Sequence, residues 1–262
     1  MNYNFLELPN WLVFILFPVI SWVVLMLVTL LLRKVSHRCG FNDSDSDVID
    51  TATQNAMSGV YVVLGFVLVL VMTTSNEVDS NIAKEASQIE SLDRLLVMEG
   101  SPPALLARQS LLVYAKSIVR DEWESLAGGT GSRQTRAYAN GLFKDIEGIK
   151  PNTSRQVILY AEIIKRNDEI EQSRNLRTLS SKSRLPNLFW GVSFFSLLGV
   201  IVIAAMRLRQ PTTISIIALG VQVGMVALLF TAVMILDLPF LGQTKASSEP
   251  ISKTIQVIEA RN

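Results

Sequence analysis

Four apolar runs, each about as long as a bilayer is thick, constrain this chain more than anything else in it. Leu12 to Leu32 is interrupted only by Pro18, Ser21 and Thr29, and its roughly 21 residues at 1.5 Å each match a hydrocarbon core of about 30 Å. Leu188 to Met206 and Ile214 to Leu236 are equally clear spans. Val60 to Met72 is shorter, and reaches about 19 residues when it is extended from Ala56 to Thr74. The first run does not read as a cleaved signal peptide: its flank MNYNFLELPN carries no Lys or Arg, and the run ends in Arg33-Lys34 rather than at a small-residue cleavage site. It is expected to be a retained helix.

These runs predict an all-α integral membrane protein with four transmembrane helices in two hairpins and a helical extramembrane domain inserted between spans 2 and 3. The expected layout is an N-terminal tail and span 1 (1–33), a short polar loop (34–55), span 2 (56–74), the helical domain (75–186), span 3 (187–207), span 4 (211–237) and a C-terminal tail (238–262). Arg33, Lys34 and Arg38 flank the first short loop and Arg207 and Arg209 the second. By the positive-inside rule these loops face the cytoplasm, which puts the large domain on the opposite side of the inner membrane. Lys84, Arg177, Lys182, Arg184 and Lys245, near the membrane from the domain side, pull the other way.

The second run, GVYVVLGFVLVLVMTT (59–74), passes into SNEVDSNIAKEASQIESLDRL with no proline or glycine between them. Val78, Ile82, Ala86, Ile89, Leu92 and Leu96 then recur at spacings of three and four, which draws one apolar stripe along a helix. Span and stripe therefore read as one helix of about 63 Å from Met57 to Met98. Gly100-Ser-Pro-Pro103 ends it, with Ser101 as N-cap and Pro102 as first residue of a helix that runs to about Leu126. Further helices are expected over Arg133–Ile149 and from Thr153 or Ser154 to about Ser181. The last of these is very polar beyond Ile164, with Ile170, Leu176 and Leu179 as its large apolar positions, so it must pack along a narrow seam. Pro250 to Ile258 adds a short amphipathic helix with Ile251, Ile255 and Ile258 on one face.

Nothing in the chain forms a catalytic constellation, so no enzyme activity, metal or cofactor is expected. Its 24 basic and 23 acidic residues give no field to recruit nucleic acid. His37 and Cys39 are the sole residues of their types, too few for a zinc site or an intrachain disulfide. Gly128, Gly129 and Gly131 lack the Gly-Lys-Ser/Thr of a phosphate loop. Asp121, Glu122 and Glu124 read as a solvated helix face, and Asn152-Thr-Ser154 matches a glycosylation acceptor in form only. Within the membrane, Gly220 and Gly224 form a GxxxG pair suited to close helix packing, with Gln222 between them seeking a polar partner; Gly65 is a further packing glycine. No span carries Asp, Glu, Lys or Arg near its centre, which argues against proton relays and ion-coupled transport.

Val63-Leu-Gly-Phe66, Leu70-Val71 and Thr73 resemble the bestrophin segment VLGFYVTLVVT. Most of the chain is similar to a bacterial bestrophin-like family, through the second span leading into Glu85-Ala86, through Leu185-Pro186 and Trp190 at the third span, and through Leu236-Asp237-Leu-Pro239-Phe240-Leu-Gly242 after the fourth. The resemblance implies a homo-oligomer, a pentamer, in the lipid bilayer, with passive ion conduction through a central pore lined by the second span. It places an apolar neck at Ser58, Val62 and Phe66, of which Phe66 matches the family while Val62 is smaller and Ser58 is polar. Four-residue spacing puts all three on one helix face. The acidic calcium clasp of animal bestrophins is not recognisable. The resemblance also implies a cytoplasmic large domain, opposite to the charge rule. A different class of reading is a non-conducting membrane sensor or scaffold whose helical domain binds a partner.

Overall fold

The computed structural model describes residues 9–36, 45–182, 184–208 and 212–261. His37, Arg38, Cys39 and Arg209 lie outside the described residues. All regular structure among the described residues is helical: α1 (Asn10–Ser36), α2 (Asp45–Glu99), α3 (Pro102–Ser117), a π-helical turn (Ile118–Glu122), α4 (Trp123–Ala127), α5 (Arg133–Glu147), α6 (Ser154–Ser180), α7 (Asn187–Arg207), α8 (Thr213–Leu236) and α9 (Glu249–Ala260). Four of these, α1, α2, α7 and α8, are long and apolar enough to cross a membrane. The chain divides into two compact units, 1–74 with 184–244 and 75–183 with 245–262.

The apolar span and the amphipathic stripe are one unbroken helix of 55 residues, about 82 Å at 1.5 Å per residue. It starts earlier than the sequence reading placed it, since residues 45–55 of the expected polar loop are its first turns. Asp47 and Asp50 sit near its N-terminus, where carboxylates favour the helix dipole, and the Thr51 and Thr53 hydroxyls donate back to the Asp47 and Ile49 carbonyls at 2.9 and 2.7 Å. It stops at Gly100, whose φ of +71° suits a residue without Cβ and whose N–H donates to the Leu96 carbonyl at 3.1 Å.

In the four-span unit α1 packs against α7 and α8. Leu25, Leu64, Val200, Ile201, Ala204, Val223 and Val226 form the centre of its apolar core, with Met57 and Val60 of α2 in the same cluster. Trp190 meets the Phe230 ring edge-on at 5.6 Å. Past the end of α8, Asp237 accepts hydrogen bonds from the Leu185 N–H at 2.7 Å and from the Trp190 indole at 3.3 Å, so that one carboxylate ties the start of α7 to the end of α8.

In the helical unit the predicted stripe is the buried face of α2: Val78, Ile82, Ala86, Ile89, Leu92 and Leu96 are all buried. Ser101 caps α3 with Pro102 at its first position, and the Ser132 and Thr153 hydroxyls cap α5 and α6. The C-terminal helix α9 buries Ile251, Ile255 and Ile258 and belongs to this unit. It is held by Asp93 of α2, which is fully buried and accepts from Arg108 and Arg261 at 2.6 Å each.

Candidate functional site

The helix that carries the expected neck presents two different faces. Met57, Val60, Leu64, Val67 and Val71 are buried. A quarter-turn or more away, Ser58 is exposed, as are Val62 (58%) and Phe66 (74%), followed by Val69 and Thr73. The three neck positions thus share one face, and no other part of the described chain covers it. Thr73 and Thr74 leave no dangling donors, because they return their hydroxyl hydrogens to the Val69 and Leu70 carbonyls at 2.9 and 3.1 Å.

The small residues of the spans do different jobs. A Cβ on Gly220 would lie 2.9 Å from both Cδ1 and Nε1 of Trp22, so the glycine makes room for an α1 indole against α8. Gly224 stands 3.9 Å, by the same measure, from Pro18 Cβ of α1. Gly65 has open space where a Cβ would be. Gln222 is exposed, and its backbone carbonyl accepts from the Tyr61 hydroxyl at 3.3 Å. With Ser58, Tyr61, Thr53, Gln54 and Ser215 it lines a cavity of about 490 Å³, whose lining also includes the ion pair of Arg207 with Asp50.

The helical unit holds a charged centre that sequence reasoning missed. Arg177 of α6, 1% exposed, donates Nε to Glu85 Oε2 at 2.8 Å and Nη2 to Glu85 Oε1 and Glu122 Oε2, both at 3.0 Å. Arg174, one turn earlier, donates Nη2 to Glu122 Oε1 at 2.5 Å and to the Ser132 carbonyl at 3.3 Å. The Arg177 guanidinium also lies 5.6 Å from the Trp123 ring centroid. Burial works against the charge on Arg177, but the Glu85 carboxylate beside it outweighs that effect and holds its pKa above the usual arginine range. Burial, with Glu85 next to it, pushes the Tyr114 hydroxyl well above its ordinary value, so it stays a neutral donor to Glu85 at 3.4 Å.

This centre corrects three sequence expectations. Glu122 is fully buried rather than part of a solvated face; Glu124 is exposed, and Asp121 is half-exposed against Arg120. The π-helical turn over Ile118–Glu122 is where α3 loses its regular period, with both Ile118 and Glu122 turned inward. Arg177 is not a free surface charge, because two carboxylates enclose it. The seam of α6 is not made by Leu176 and Leu179, which are 39% and 64% exposed, but by Ile163, Asn167, Ile170, Ser173, Arg174 and Arg177. The sequence does contain a signal for this: 163, 167, 170, 174 and 177 keep the alternating four-and-three spacing of a packed stripe, with polar residues in it. Among the described residues no group of three or more His, Cys, Asp or Glu side chains is placed to hold a metal ion.

Neither the curated proteins nor the solved structures contain a significant match to the chain. A family model described as the Bestrophin-like domain matches residues 19–251, which takes in all of α2, α7 and α8 and the whole run of helices between them. With that match, and with four helices of membrane-crossing length and apolarity, the chain belongs to the bestrophin-like family and is a membrane protein.

Proposed function

We propose that this chain is one subunit of an oligomeric, passive ion channel whose central pore is lined by the Ser58, Val62 and Phe66 face of α2. The observation that carries the reading is the uncovered face itself: these positions point away from the core on the one spanning helix that continues into the helical unit. Symmetric copies arranged around that face close it into a ring, a pentamer by family resemblance. Phe66 and Val62 then supply apolar constrictions of the kind that gate by dewetting, while Ser58 offers a hydroxyl where the family pattern is apolar. The absence of Asp, Glu, Lys and Arg from the middle of the spans fits passive conduction.

Purified oligomers in planar bilayers are expected to pass current. Val62→Cys or Phe66→Cys, introduced together with Cys39→Ser, is expected to react with a water-soluble thiol reagent and to alter that current. Oligomers that stay silent, or a Phe66→Cys variant that reacts only with lipid-soluble reagents, defeat the reading and favour a non-conducting sensor or scaffold. The short loops are assigned to the cytoplasm by their arginines. Cys39 of the unsubstituted chain is then protected from an impermeant reagent on intact cells, and its labelling reverses the orientation.

A further inference from the structure

The helical unit contains a cavity of about 480 Å³ where α3, α5 and α6 part, and its lining is not that of a packing defect. A void left by imperfect packing is apolar and dry. Here Asn167 of α6, only 6% exposed, opens its amide onto the space and makes no hydrogen bond among the described residues. An amide that faces an open cavity with no protein partner has its donor and acceptor available to an occupant.

Two guanidinium groups reach the same space. Arg174 turns Nε and Nη2 to Glu122 and Ser132, which leaves the Nη1 edge without a hydrogen bond among the described residues. Arg136 of α5 forms no ion pair among the described residues. The carboxylates of the buried centre are already spoken for, since Glu85 and Glu122 are matched by Arg174 and Arg177. Glu171 on the lining is exposed and disfavours ligands of high negative charge. Leu142 and Ile170, both buried, supply an apolar wall.

We infer that this cavity binds a small organic monocarboxylate with an apolar body. Its carboxylate takes donors from the Asn167 amide, Arg136 and the free edge of Arg174, and its hydrocarbon part lies on Leu142 and Ile170. Arg174 shares Glu122 with Arg177, whose other partner is Glu85 of α2, so an occupant that draws on Arg174 acts directly on the ion pairs that hold α2.

The test is titration of the full chain in detergent with benzoate, hexanoate and sulfate, read by calorimetry and by the shift in unfolding temperature. Benzoate or hexanoate is expected to bind with a dissociation constant below about 1 mM and sulfate at least tenfold more weakly, a discrimination of about 1.4 kcal/mol. Arg136→Gln, at an exposed position, is expected to fold normally and to weaken benzoate binding about tenfold, the size of one charge-assisted contact. Asn167→Leu is expected to abolish binding while the ligand-free protein unfolds at the same or a higher temperature. Sulfate binding as tightly as benzoate, no carboxylate binding at about 1 mM, or an Asn167→Leu protein that loses stability and keeps its benzoate affinity each overturns the inference.

Discussion

The two units of this molecule keep their charges in opposite places. In the four-span unit the interior is almost wholly apolar, and its buried hydroxyls mostly satisfy themselves on their own helix: Thr29 donates to Leu25 and Thr231 to Ala227, each at 2.7 Å. In the helical unit two glutamates and two arginines occupy the centre with 6% or less of each side chain exposed. The difference follows from the solvent that each sequence must satisfy. A span has no water nearby to complete an imperfect pair, so its packing relies on shape, as where Trp22 lies over Gly220. The helical unit can bury four charges because Glu85, Glu122, Arg174 and Arg177 arrive with geometry that satisfies nearly every polar atom; among these four residues Arg177 Nη1 alone is buried without a partner.

The buried ion-pair network is most vulnerable at Arg177, which bridges both glutamates. Truncation to alanine leaves buried Glu85 without a cationic partner and Glu122 with Arg174 alone, and is expected to cost about 3–5 kcal/mol, read as unfolding of the helical unit by Trp123 fluorescence. Replacing all four charged residues together by Leu and Met is expected to leave stability near that of the parent. A quadruple variant as unstable as Arg177→Ala would show that the network is irreplaceable rather than merely intolerant of being split.

In the four-span unit the corresponding weak points are smaller. Gly220→Val places a side chain against the Trp22 ring, and is expected to destabilise by about 1–3 kcal/mol. Adding Trp22→Ala should recover much of that loss in a double-mutant cycle, and an additive result would mean the two helices do not meet there. Asp237→Ala removes the acceptor from the buried Leu185 N–H, for about 1–3 kcal/mol, and Asp237→Asn, which keeps an acceptor, is expected to lose less. Smallest of all, Phe66→Ala should change stability by no more than about 0.5 kcal/mol, because the side chain is 74% exposed within the subunit. Its effect is expected in the current instead, and a large stability loss in the monomer would place Phe66 in a packing role.

Much of the fold was legible because its signals are local. The four spans followed from run length and hydropathy, and the buried face of α2 from the spacing of Val78, Ile82, Ala86, Ile89, Leu92 and Leu96. Ser101 and Pro102 announced the start of α3 through capping chemistry that involves only neighbours. The start of α2 was misplaced by about three turns, since polar residues at a helix N-terminus have the same composition as a loop. The shared face of Ser58, Val62 and Phe66 was also local, a consequence of four-residue spacing; its exposure within the subunit was not.

The charged centre lay beyond such reasoning. Glu122 sits beside Asp121 and Glu124 in sequence and is set apart from them only by a π-helical turn and by partners 52 and 55 residues away. Arg177 finds Glu85 across 92 residues. By itself, then, the sequence determined the helices, the membrane class and the continuity of α2, because hydropathy, periodicity and capping are properties of contiguous residues. Only the tertiary structure decided which charges are buried, which glycine admits an indole and which amide faces an open cavity, because each depends on the approach of segments that the chain itself does not place side by side.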